Sequence, residues 1–138
     1  MGTRSIIRVV DENSGTLVTL YNQYDGYPSG VGAMIYDILG SLEMVNRVHL
    51  VADWNNLMNG LGDTARILIS QMPSCRIVPS DGTNFHQEYE YILYCGPKVF
   101  DNSMDYLKLT IIETYSLRVM FDGFLSEFPE FLVKIEQD

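Results

Sequence analysis

The chain is poor in the residues that most often announce chemistry. It holds two histidines, two cysteines and one tryptophan in 138 residues. His49 and His86 stand apart from any metal-ligand spacing, and Cys75 and Cys95 belong to no CxxC pair. Neither a metal site nor a disulfide framework is expected; both cysteines read as buried reduced thiols. Basic residues are also scarce, with nine Lys and Arg against eighteen Asp and Glu, a formal charge of −9. A phosphate backbone is bound by clustered cations, so no nucleic-acid partner is expected. No apolar run approaches the roughly 18 residues of a membrane span, and the start has no signal-peptide core. No membrane association is therefore expected, and the setting reads as cytoplasmic. Gly2 suggests myristoylation, but Ile6 stands where that signal wants Ser or Thr.

What the chain does have is apolar content, tyrosine and glycine. At 46% hydrophobic, residues 1–138 suit one domain with one core. Residues 5–10 and 16–24 are β-branched or aromatic runs separated by Asp11, Glu12, Asn13, Ser14 and Gly15, which predicts an antiparallel hairpin. From 33 to 44, Met34, Ile35, Ile38, Leu39 and Leu42 recur at helical spacing. A second such stripe, from Trp54 to Met72, is interrupted by Asn59, Gly60, Leu61 and Gly62. Each glycine costs about 1 kcal/mol inside a helix, so the stripe divides into a short helical turn over 53–58 and a helix starting at Asp63 or Thr64 and ending at Gln71.

Strands are expected over 75–78, 88–95, 106–115 and 117–122. In the second of these, Tyr89, Tyr91, Leu93 and Cys95 share one face; residues 96–105 form a long connection. Gly123 leads into a last helix with Phe124, Phe128, Phe131, Leu132 and Ile135 on its apolar side and Pro129 in its first turns. The order predicts an α+β fold: a largely antiparallel sheet of about five to six strands, with two or three helices packed mainly on one face.

Four short blocks stand out: Thr3-Arg4-Ser5, Tyr24-Asp25-Gly26-Tyr27-Pro28, Asn59-Gly60-Leu61-Gly62, and Glu88-Tyr89-Glu90-Tyr91. Together, and in this order, they resemble a family of small phage and bacterial proteins with TRS, (W/Y)DGYP, NG(M/L)G and EYxY motifs. The likeness spans residues 3 to about 95, with Tyr24 standing where the family usually has Trp. It implies a viral or mobile-element setting and supplies no reaction and no catalytic residue.

Two glycine-bearing blocks precede helix starts, where free N–H donors and the helix dipole favour an anion. If the fold gathers them, Arg4 or Arg8 can complete a pocket, and Tyr24 or Tyr27 can stack on a ring. The candidate ligand-binding residues are therefore Arg4, Arg8, Tyr24, Asp25, Gly26, Tyr27, Asn59, Gly60 and Gly62. The competing explanation is that these glycines serve tight turns and close packing. Gly26 to Gly32 contains neither GxGxxG nor GK[ST], and Ser29 lies in no GxSxG elbow.

The first expectation is thus a non-enzymatic, cofactor-free protein binding a small anionic or nucleotide-like ligand, such as a signal of host immunity that a phage protein would sequester. The second is an interaction module, homo-oligomeric or blocking a host protein, using its surplus of tyrosine. A small hydrolase or transferase built on Asp25 and one histidine comes third, and needs His49 or His86 within reach of Asp25.

Overall fold

In a computed structural model of the chain, residues 2–12, 14–45, 57–80, 85–95 and 107–137 are described. Strands β1 (Ser5–Asp11) and β2 (Gly15–Asn22) pair antiparallel, as the alternation and the turn residues predict. Gly15 adopts φ of 80°, which closes the turn at no steric cost. A five-residue π-helical turn, Pro28–Gly32, then runs directly into α1 (Ala33–Leu39). Two short strands, β3 (Glu43–Val45) and β4 (Leu57–Asn59), form a separate parallel pair. The chain continues through α2 (Gly60–Gln71), β5 (Arg76–Val78), β6 (Tyr89–Cys95), β7 (Leu107–Glu113) and β8 (Arg118–Phe124) to α3 (Phe128–Gln137).

The main sheet has six strands in the order β5-β2-β1-β6-β7-β8. All its pairings are antiparallel except the central one, where β1 and β6 run parallel with Ser5 beside Tyr89 and Ile7 beside Tyr91. An α+β fold with a largely antiparallel sheet is therefore present, and its helices share one face. Ile7, Val9, Leu20, Tyr91, Leu93, Leu109 and Ile111 line that face and meet Ile35 and Leu39 of α1, Leu61 and Leu68 of α2, and Phe128 of α3. Rings of Phe121, Phe128 and Phe131 close the core under α3 with centroid separations of 5.1 to 6.0 Å, within the usual range for aromatic pairs.

The opposite face is more polar. Arg8, set between buried Ile7 and Val9, donates from Nε to Glu90 Oε1 at 2.8 Å and from Nη1 to Thr19 Oγ1 and the Ser80 carbonyl at 3.1 and 2.9 Å. The chain leaving β5 is thereby tied across β2 and β1 on its way to β6. Phe85 packs on Tyr21 in the same crossing, with ring centres 6.3 Å apart. The outer strand β8 carries a bulge opposite Ile111 and Ile112, a distortion that disfavours edge pairing.

Several boundaries differ from expectation. The first helix ends at Leu39 and not Met44, because Gly40 follows and Glu43–Val45 is recruited as a strand. The turn expected over 53–58 is corrected in part: Leu57–Asn59 is strand, and 53–56 lie outside the described residues. The glycines do mark the division, but α2 begins at Gly60 itself, whose φ of 80° admits the chain from β4. Gly123 belongs to β8, and a short 3₁₀ turn, Leu125–Glu127, intervenes before α3. The connection expected over 96–105 is not among the described residues.

Gly60 and Gly62 therefore have opposite requirements. Among the described residues, a Cβ at Gly62 would meet no atom beyond its own helix backbone and chain neighbours within 4 Å, whereas Gly60 is held in the left-handed region. Gly62→Ala is expected to stabilise the protein by about 0.5–1 kcal/mol. Gly60→Ala is expected to destabilise it by about 1 kcal/mol. Urea unfolding of the two variants beside the parent measures both.

Candidate functional site

Three of the four sequence blocks meet at one end of the β1/β6 pair. The Gly26 N–H donates to the Thr3 carbonyl at 2.9 Å, and a Cβ on Gly26 would lie 2.8 Å from that oxygen and from Ser5 Cβ. Only glycine fits so close to the first strand. The Arg4 carbonyl in turn accepts from the N–H groups of Glu88 and Tyr89 at 2.8 and 3.3 Å. Tyr91 completes the assembly: its buried hydroxyl donates to the Gly26 carbonyl at 2.6 Å and receives the Gly32 N–H. One phenol thus joins both ends of the loop to the centre of the sheet.

The loop is also tied internally. Asp25 adopts φ of 57°, a conformation Asp tolerates better than most residues. Its carbonyl accepts the Val31 N–H at 2.8 Å, and Gly30 packs so tightly on that carbonyl that any side chain there would overlap it. Gly30 N–H goes to the Tyr27 carbonyl at 2.8 Å, and Ala33 N–H to the carbonyls of Pro28 and Gly30. Asn22 Nδ2 holds the Tyr24 carbonyl from below. Gly32 has no room for a side chain because the Phe128 ring would lie 2.9 Å from its Cβ.

This accounting changes the chemistry the loop can perform. The N–H groups of Gly26, Gly30, Val31, Gly32 and Ala33, which an anion would seek at a helix start, are engaged within the protein. What faces outward is side chain. Tyr24 is 65% exposed and Tyr27 is 40% exposed. Tyr27 Oη donates to Asp25 Oδ1 at 3.0 Å, and that bond, followed by the carboxylate's charge, pushes the phenol's pKa up.

The remaining candidates divide. Arg4 touches the loop through its backbone, which would lie 3.0 Å from a Cβ on Gly26. No hydrogen bond or ion pair is described for its guanidinium among the described residues. Arg8 is occupied with Glu90, Thr19 and Ser80 on the face away from the helices. Asn59 pairs through its backbone with Val45, and Gly60 accepts at its carbonyl from Thr64 Oγ1 at 3.4 Å. At that helix start Asp63 supplies the negative charge the dipole favours, and it pairs with Arg66 at 3.2 Å.

His49 lies outside the described residues, and His86 is exposed with φ of 58°. No group of three or more metal-ligating side chains occurs among the described residues, nor is any helix there long and apolar enough to cross a membrane. Both thiols are free and half-buried, and burial pushes their pKa up. Sequence reasoning missed Tyr91 as the organiser of the loop; its alternation marked it as a core residue, but nothing local marked which carbonyl its hydroxyl would meet.

No family profile, curated protein or solved structure matches the chain.

Replacing Tyr91 by Phe leaves the buried Gly26 carbonyl without its phenol donor. The expected cost is about 1–3 kcal/mol, measured by urea unfolding. Alkaline pH acts on the same group. Burial, with a smaller contribution from Tyr89, raises the folded Tyr91 pKa well above its ordinary 10.0. The folded state then holds its proton where the unfolded chain loses it, so stability falls as pH rises past 10. The half-buried thiols add a loss of the same sign from their ordinary 9.0 upward. Unfolding titrations from pH 8 to 11 should show this decline, shallower above pH 10 in Tyr91→Phe.

Proposed function

We propose that this chain is a non-enzymatic small-molecule-binding protein of phage or viral type, working in the cytoplasm of the host cell. Its ligand is nucleotide-like: a planar ring that stacks on Tyr24 and Tyr27, with an anionic group that meets the Arg4 guanidinium. Sequestration of a host signal is the role such a protein would serve.

The observation that carries this reading is the contrast between a locked backbone and exposed rings. The loop is fixed to β1 through Gly26 and to β6 through Tyr91, yet it leaves Tyr24 largely uncovered. A side chain on Gly2 would clash with the Tyr24 ring, so glycine lets that ring lie against the backbone near the chain start. Rings held in place before binding lose little conformational freedom when a ligand arrives. Core packing gives no reason for so exposed an aromatic on so constrained a loop.

A second reading, a protein-interaction module or homo-oligomer, is favoured by a different place. The turn joining β7 and β8 exposes Tyr115 by 75% and Leu117 by 79%, with exposed Val119 following on β8. Neighbouring apolar side chains left open in this way suit a partner surface.

Mass spectrometry of the purified protein, followed by thermal-shift screening against nucleotides, tests the first reading. Tyr24→Ala should abolish the ligand-induced shift while changing intrinsic stability by less than about 0.5 kcal/mol. A screen without any stabilising ligand, together with a concentration-dependent mass that Leu117→Ser lowers, would transfer the assignment to the second reading.

A further inference from the structure

The geometry points to a second ligand site, for a planar heteroaromatic ring bearing an anionic group, on the helix-free face of β6, β7 and β8. It shares with the reading above only the class of ligand and does not depend on the loop.

The register sets Tyr94, Lys108 and Phe124 side by side, one on each strand, and places Thr110 opposite Asp122 in a neighbouring row. Lys108 and Thr110 flank Leu109, which is fully buried beneath the helices, so alternation turns both toward the other face. The Lys108 ammonium lies 5.9 Å from the centre of the Tyr94 ring and 5.3 Å from that of Phe124. Both distances lie within the reach of cation–π attraction. Tyr94 Oη donates to Asp122 Oδ1 at 2.9 Å, and Thr110 Oγ1 donates to the same oxygen at 3.1 Å.

Two features go beyond ordinary cross-strand packing. In a chain of net charge −9, the Lys108 ammonium has no carboxylate within ion-pair distance among the described residues. Asp122 is exposed, and the two donors that orient its carboxylate converge on one oxygen, Oδ1, leaving Oδ2 for a further donor. A cation held between two rings, beside an oriented carboxylate, is complementary to a ligand that combines three groups. The ring packs against Tyr94 and Phe124, the anionic substituent neutralises Lys108, and a ring amino or sugar hydroxyl group donates to Asp122 Oδ2. A nucleoside monophosphate carries all three. Inorganic phosphate carries only the anion, and a nucleoside lacks it.

Adenosine 5′-monophosphate, adenosine and inorganic phosphate, titrated separately into the ¹⁵N-labelled full chain and followed by amide shifts, test the site. Saturable binding of the monophosphate is expected with Kd at or below about 1 mM, with shifts on 92–95, 107–110 and 122–124. Lys108→Met keeps the apolar stem and should weaken the monophosphate about tenfold while changing adenosine less than about twofold. Phe124→Leu should weaken both ligands, and Lys108→Gln should repeat the Lys108→Met result on a second background. The site is overturned by the lack of saturable shifts on these strands, by a Lys108→Met protein that binds the monophosphate like the parent, or by phosphate binding as tightly as the monophosphate. Shifts confined to residues 24–27 would likewise remove it while supporting the loop.

Discussion

The buried hydroxyl of Tyr91 is the contact on which the geometry of the candidate site depends. It stands at the centre of the sheet, on the strand that pairs with β1, and it reaches the Gly26 carbonyl and the Gly32 N–H at the two ends of the loop. The buried Gly26 carbonyl would otherwise lack this donor. Leaving such a group unpaired costs about 1–3 kcal/mol, more than a typical hydrogen bond contributes net. The phenol therefore acts chiefly by preventing penalties, and it can do so only while β6 lies beside β1. Loop, first strand and sixth strand are in this sense one unit.

The sheet's two faces divide the work. Toward the helices, aliphatic and aromatic side chains form a continuous core from Val9 to Phe128. Away from them, polar side chains satisfy one another: Arg8 with Glu90, Thr19 and the Ser80 carbonyl, then Tyr94 and Thr110 with Asp122. Arg8 and Glu90 are both largely shielded from water, and such a pair gains its attraction against a substantial desolvation cost. Its clearest structural consequence is positional, since the same guanidinium fixes the chain that crosses from β5 to β6. Two aromatic surfaces lie outside the core, Tyr24 with Tyr27 on the loop and Tyr94 with Phe124 on the sheet, and they differ in the charge beside them. Asp25 accompanies the first; Lys108 stands within the second.

Much of the fold was legible in the chain because its signals are local. Alternation located β1, β2, β6, β7 and β8, and the cluster from Asp11 to Gly15 located their first turn. Helical spacing found α1, α2 and α3. It failed at the end of α1, where Leu42 still fits the stripe but the chain has left the helix after Leu39, and Glu43–Val45 pairs with Leu57–Asn59. Neither of these two short strands carries enough pattern to be seen without its partner, whereas the equally short β5 falls within the strand expected over 75–78. The π-helical turn was hidden for a similar reason: Pro28, Ser29 and Gly30 read as an ordinary turn, and only their contacts with Asp25 and Tyr27 wind them into a helix start.

The candidate site divides in the same way. Composition and order alone determined the α+β class, the single-faced helix layer and the prominence of the Asp25-Gly26-Tyr27 turn, because glycine, proline and apolar period act within a few residues of themselves. Tertiary structure decided which prominent residues belong together. Thr3, Gly26 and Tyr91 meet because β1 and β6 pair in parallel, a pairing between segments more than eighty residues apart that no local pattern encodes. Arg8 is turned to Glu90 by its place between Ile7 and Val9, and the loop N–H groups expected to hold an anion are taken by the Thr3 carbonyl, by carbonyls of the loop itself and by the Tyr91 phenol. A sequence states which groups can bond; the fold determines which have already done so.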